Sequence, residues 1–189
     1  MKVIATDIAN LTDARYFAAW GVDAMAYNID SSVENALSPA QLKEIVDWVE
    51  GPETMIKIDG LAVLLELSEI DNSVQCHGLI VSPFIETAEL SNFESIYTIC
   101  TLEDGWQDND KLVLTLPLGL SKISEAQSTK IKALTATKSV LLDADFTAHD
   151  LERITQLGFE GIILKGGEEE KVGYKSFDEL DEILEAIYD

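Results

Sequence analysis

Residues 158–177 read GFEGIILKGGEEEKVGYKSF. Within them GIIL is an uninterrupted apolar run that stops at Lys165 and a Gly-Gly pair, and three glutamates follow. A short run without polar alternation marks a strand buried on both faces, the habit of a parallel sheet covered by helices. A glycine turn after such a strand, opening toward a helix, is where a parallel barrel commonly holds a phosphate. Glu168, Glu169 and Glu170 oppose a phosphate. They suit solvent at the start of a last helix, where carboxylates favour the dipole, or a turn that no longer keeps phosphate as its main ligand.

Working outward from that stretch, the same rhythm recurs. Strands are expected at KVIAT (Lys2 to Thr6), AMAYNID from Ala24, TMIKID, GLIVSPF, SIYTICTL, KLVLTLPL, SVLLDADF and GIILKGG. Helices are expected at TDARYFAAWG, with Thr12 as N-cap and Gly21 as its stop, and at SPAQLKEIVDWVE, with Ser38 as N-cap and Pro39 at the first helical position. LAVLLELSEI, ETAELSNFE, SEAQSTKIKALTAT, TAHDLERITQLG and SFDELDEILEAIY continue the series, and the polar loop EDGWQDND replaces a helix after the fifth strand. Strands alternating with helices predict a parallel sheet with helices outside, and eight such units close most economically as a compact (β/α)8 TIM barrel, one domain over residues 1–189. An open doubly wound sheet is the alternative, but no GxGxxG follows the first strand.

The chain carries 13 basic and 35 acidic residues, a formal net charge of -22, and 47% hydrophobic residues. This is the composition of a globular protein whose surface repels nucleic acid and anionic membrane. No apolar run approaches the ~20 residues that span a bilayer, and MKVIATDIANLTDARYF lacks the pattern of a secretion signal. Cys76 and Cys100 stand far apart in no metal-ligand spacing and read as reduced thiols of a cytoplasmic protein. No metal or cofactor is expected. The tryptophans form no stripe for stacking on bases.

IATDIANLTDARYFAAWGVDAM, VENALSPAQ, LDADFTAHDL and GIILKGGEEEKVGYKSF, in that order, resemble the phosphoribosylanthranilate isomerases of tryptophan biosynthesis. Asp13-Ala14 and Gly21 to Ala24 fall in the family's register. The resemblance covers the first third and last quarter of the chain. It implies a barrel and an Amadori isomerisation, aminoaldose to aminoketose, of a phosphorylated sugar derivative. That reaction needs a base at C2 and an acid to open the ring. The family's basic cysteine falls on Thr6, whose hydroxyl cannot replace a thiolate unaided. The next residue is Asp7, a candidate replacement base, although strand alternation would point it away from Thr6. The acid's position, at the end of the sixth strand, holds Thr115, Leu116 and Pro117. The arginine that grips the substrate carboxylate falls on Asn35, which brings no charge. The family's phosphate glycines fall on Ala144 and Asp145, and on Lys165, Gly166 and Gly167.

Reading each strand with period two gives a second constellation. Asn28 and Asp30 share a side, as do Lys57 and Asp59, and Asp143 and Asp145, with Lys165 ending the eighth strand. The ends of barrel strands form the usual active-site face. Lysine beside carboxylates serves a general acid or a Schiff base; several aspartates also suit a hard cation. The plain alternative is a salt-bridge network plugging a barrel that no longer catalyses. Three functions follow: an isomerase on a small phosphorylated sugar, a non-catalytic barrel that binds a small molecule or protein, and a different lyase or isomerase using Lys57 or Lys165. The second predicts a plugged mouth without an open pocket.

Overall fold

A computed structural model describes residues 1–30, 33, 36–60, 67, 70, 73–86, 90, 93–104, 109–166 and 176–188. Eight parallel strands among them pair in sequence order and close on themselves. They are β1 (Lys2–Thr6), β2 (Ala24–Asn28), β3 (Glu53–Ile58), β4 (Gly78–Val81), β5 (Ser95–Cys100), β6 (Lys111–Leu116), β7 (Ser139–Ala144) and β8 (Gly161–Lys165). Five α-helices are described: α1 (Leu11–Trp20), α2 (Pro39–Trp48), α3 (Glu125–Thr135), α4 (Leu151–Gln156) and α5 (Asp178–Tyr188). The expected (β/α)8 barrel is therefore the observed fold. Most of LAVLLELSEI, part of ETAELSNFE and the centre of EDGWQDND lie outside the described residues.

Local chemistry sets the helix ends. Ser38 caps α2 in a reciprocal box with Gln41, with Pro39 at the first helical position, and Ser124 and Gln127 repeat the box at α3. Gly21 ends α1 in the left-handed region at φ 74°, which glycine enters without a Cβ penalty. One cap differs from expectation. Asn10, not Thr12, starts α1, because its side-chain oxygen accepts the Asp13 N–H at 3.0 Å. Asparagine ranks above threonine at this position.

Two apolar shells result from strand alternation. Ile4, Ala26, Met55, Tyr97, Leu141 and Ile163 fill the barrel interior. Val3, Ala5, Tyr27, Ile56 and Leu142 face outward and pack with Phe17, Leu42, Ile131, Ile154 and Leu184 of the helices. The seam runs from Lys2↔Gly161 to Thr6↔Lys165. A Cβ on Gly161 would lie 2.1 Å from the Lys2 carbonyl oxygen, so the strands meet this closely only with glycine there.

Candidate functional site

Thr6, Asn28, Lys57, Thr115, Asp143 and Lys165 each follow by two residues an interior residue: Ile4, Ala26, Met55, Val113, Leu141 and Ile163. The same alternation that packs the interior therefore brings these six to the C-terminal mouth. They are also neighbours across strands, as Thr6↔Lys165, Asn28↔Lys57 and Thr115↔Asp143. Asp30, Asp59 and Asp145 differ from the expected picture, since β2, β3 and β7 end before them and they sit in the loops above.

The mouth is organised as two groups. In the first, on β6–β8, the Lys165 ammonium lies 2.8 Å from Asp143 Oδ1. Thr115 Oγ1 donates to Asp143 Oδ2 at 3.3 Å, so both carboxylate oxygens are engaged. Burial pulls the Lys165 pKa down, but its hydrogen bond to Asp143 and the charges of Asp143, Asp7 and Asp145 outweigh that, and the amine titrates above the ordinary lysine value. A lysine held as its cation suits an acid or an electrostatic clamp, not the neutral amine that a Schiff base needs. In the second group, on β2–β3, Lys57 pairs with Asp59 at 3.6 Å. Asn28 Nδ2 donates to Asp59 Oδ2 at 3.3 Å, and Asn28 Oδ1 accepts the Asp30 N–H at 2.9 Å.

Asp7 corrects an inference from alternation. Its φ is 56°, the one positive value among described non-glycine residues. The chain leaves the strand there, so period two no longer predicts where Asp7 points, and its charge acts on Lys165. Aspartate is among the few residues that tolerate this conformation, at a cost of about 1 kcal/mol. Gly166 donates its N–H to the Thr6 carbonyl at 2.8 Å. A Cβ on Gly166 would come 2.8 Å from the Asp7 carbonyl oxygen and 3.4 Å from Asp13 Oδ2. Asp13 is fully buried. Its position in the Asp-Ala pair gave no hint that its carboxylate would lie against the turn after β8. Asn35, Gly167 and Glu168 to Glu170 lie outside the described residues.

A cavity of about 480 Å³ opens above β7 and β8, walled by Asp143, Asp145, Asp150, Lys165, Glu179 and Leu180. An open pocket is not the plugged mouth expected of an inert barrel. Asp150 and Glu179 come from the helical segments after β7 and β8 and were missed in the sequence, because only tertiary closure brings them to the mouth. A second cavity, of about 280 Å³, lies at the ends of β5 and β6 between Leu102, Thr115, Leu116, Leu118, Lys122 and Ile123. Among the described residues no three His, Cys, Asp or Glu converge to hold a metal ion. His77 sits at the opposite end, before β4, where Nδ1 accepts the Thr54 N–H at 3.2 Å. Neither cysteine is in a disulfide, and burial, with the charge of Asp104, pushes the Cys100 thiol up to about 12.

No protein-family model matches the chain, and no curated protein sequence does. Solved structures do match. Phosphoribosylanthranilate isomerase from Thermus thermophilus is 19% identical, with a TM-score of 0.77 over 99% of this chain and 98% of that one. The enzyme from Thermotoga maritima is 12% identical, with a TM-score of 0.78 over 98% of each chain. A phosphoribosylanthranilate isomerase in complex with reduced 1-(o-carboxyphenylamino)-1-deoxyribulose 5-phosphate is 11% identical, with a TM-score of 0.71 over 98% of this chain and 97% of that one. At these identities the likeness is one of fold. The chain has, over nearly its full length, the (β/α)8 barrel of the phosphoribosylanthranilate isomerases.

Proposed function

We propose that this barrel is an isomerase of the phosphoribosylanthranilate isomerase kind, converting the aldose form of a small sugar derivative to its ketose, with Asp143 as base and Lys165 as acid. The observation that supports it is the Asp143 carboxylate, held by Lys165 at 2.8 Å and Thr115 at 3.3 Å on the wall of an open cavity of about 480 Å³. Such an isomerisation moves a proton from C2 to C1. Asp143 takes the C2 proton and returns it to C1. Lys165, cationic at neutral pH, donates a hydrogen bond where negative charge develops on the substrate oxygen. Thr6, Asn28 and the Lys57–Asp59 pair supply donors and acceptors to sugar hydroxyls, and Asp7 holds the Lys165 charge. Asp30, Asn35, Asp145, Gly166 and Gly167 complete the candidate binding set.

The test is purified protein in D₂O with a panel of aldoses, N-substituted ribosylamines and phosphoribosylanthranilate, followed by proton NMR for ketose and for deuterium at C1. Ketose should form from at least one member, about a thousandfold more slowly in Asp143→Asn. Turnover of phosphoribosylanthranilate, with growth of a tryptophan auxotroph lacking the isomerase, would extend the reading to tryptophan biosynthesis.

A second reading, a barrel whose mouth is open rather than plugged and that binds a small molecule without turning it over, is favoured by Thr6 and by Thr115, Leu116 and Pro117, which stand where the family resemblance expects a thiol and a carboxylate. It predicts saturable ligand binding with no ketose and no deuterium from any member of the panel.

A further inference from the structure

The starts of α1, α2 and α3 share a device, and one of them buries it. At α2 and α3 the third helical residue, Gln41 or Gln127, accepts the N–H of its cap. Gln41 is exposed and Gln127 half-buried. At α1 the third residue is Asp13. Its N–H donates to Asn10 Oδ1 at 3.0 Å, and its Oδ2 accepts the Asn10 amide at 3.3 Å. Yet Asp13 is fully buried. Capping requires no such burial, and a carboxylate is costly to withdraw from water.

Burial brings Asp13 against the turn after β8. Gly166 donates its N–H to the Thr6 carbonyl at 2.8 Å, and Thr6 faces Lys165 across the seam. A Cβ on Gly166 would lie 2.8 Å from the Asp7 carbonyl oxygen and 3.4 Å from Asp13 Oδ2. The ends of β1 and β8 and the first turn of α1 therefore pack on one glycine. Asp7 depends on such a closure, because its φ of 56° is kept by an L-residue only where the surroundings over-determine it. Without the Asp13 carboxylate the Asp7 carbonyl has room to turn, and its side chain turns with it. Asp7 is one of the charges that hold Lys165 cationic. Lys165, immediately before Gly166, reaches Asp143 at 2.8 Å.

We propose that Asp13 is a positioning residue of the mouth: from the first turn of α1 its carboxylate clamps the paired ends of β1 and β8, and so sets where Asp7 and Lys165 stand relative to Asp143. Its part in turnover rests on the isomerase reading of that mouth.

Competitive labelling of Lys165 with trace fluorodinitrobenzene, read by mass spectrometry from about pH 8 to about pH 12, tests the clamp without substrate. The Lys165 side chain is more than half exposed and open to the reagent. Asp13→Ser is too short to reach Gly166 and should lower the Lys165 titration midpoint by about half a pH unit, as expected when one nearby carboxylate moves away. Asp13→Asn, which keeps the shape, should hold the midpoint. Asp143, Asp145, Asp150 and Glu179, the other described acids around the cavity of Lys165, are the same in every variant. Ser38→Ala removes the cap of α2; it should lower the urea midpoint and leave Lys165 unchanged. With substrate, Asp13→Ser should lower kcat about tenfold and change KM less than about threefold, and Asp13→Asn should restore most of kcat. Gly166→Ala, which presses on the Asp7 carbonyl, should move the labelling midpoint in the same direction and carries the test where Asp13→Ser does not fold. A Lys165 midpoint unmoved in the folded variant, or moved as far by Ser38→Ala, would overturn the proposal. The isomerase is judged separately. Exchange that depends on Asp143 with an unmoved Lys165 midpoint removes only the clamp. A moved midpoint without exchange in any protein removes only the isomerase.

Discussion

The two ends of the barrel use lysine in the same sequence phase and to different effect. At the N-terminal end Lys2 and Lys111 each place their ammonium 5.6 Å from the centroid of the Tyr97 ring. Lys2 Nζ also donates to Tyr97 Oη at 3.4 Å, and Lys111 Nζ to Ser95 Oγ at 2.8 Å. Tyr97 is buried, and these polar groups are spent on one another around its ring. At the C-terminal end Lys165 and Lys57 pair with aspartates, and Lys165 does so beside open volume. Lys2 and Lys165, which stand at opposite ends of the β1–β8 seam, are both raised above the ordinary lysine pKa against the opposing effect of burial. A shifted lysine at a strand end therefore does not mark a site by itself. Its partner and the space beside it distinguish the two ends: the base of this barrel is a plug and the mouth, with its open volume, is the candidate site.

That contrast can be broken from either end. The largest expected effect is at the mouth, where Asp143→Asn should slow isomerisation about a thousandfold, equivalent to about 4 kcal/mol of barrier, while moving the urea midpoint little, because the Lys165 end of its ion pair is more than half exposed. Full-rate turnover by this variant would transfer the chemistry to another residue. At the base, Tyr97→Ala should do the reverse, costing about 3 kcal/mol of unfolding free energy through the cavity left in the interior. An unchanged urea midpoint would mean that the plug is not part of the packed core. Gly161→Ala should cost about 2 kcal/mol by forcing β8 away from Lys2, measured in the same way; a neutral result would show a seam that opens without penalty.

The smallest effect is in alkali. The folded-state pKa of Lys165 lies above its unfolded value. Its contribution to stability is therefore fully present below the unfolded lysine pKa of about 10.4 and is lost as pH rises through the higher folded value. The difference in unfolding free energy between wild type and Lys165→Gln should be constant from about pH 8 to about pH 10 and shrink above that. A difference that grows with alkali would reverse the sign assigned here.

Most of the architecture was legible because it is written in short-range chemistry. Apolar runs such as GIIL and VLL have one use in a chain this rich in intervening helices, and SPAQ and SEAQ carry their caps in sequence. Lys57, Asp143 and Lys165 were also legible, since period two fixes the face of any residue still within its strand. The same rule failed one residue past the strand. Asp7 turns through a positive φ, and nothing in TDIAN signals that turn. Nor does sequence signal that Asp13, on α1, is buried against the turn after β8, or that Asp150 and Glu179 meet across a cavity. These are consequences of closure, which joins residues far apart in the chain. Glu179, Asp145 and Asp150 give the cavity above β7 and β8 a negative wall, whereas Gly167 and the three glutamates after it lie outside the described residues.

Deuterium exchange at substrate carbon is the most direct test of the contrast between the two ends, compared in wild type, Asp143→Asn and Tyr97→Phe on the best substrate of the panel. Exchange that is lost in Asp143→Asn and retained in Tyr97→Phe is the predicted result. Exchange that survives in Asp143→Asn, or that falls equally in both, would contradict the assignment of the chemistry to the mouth carboxylate.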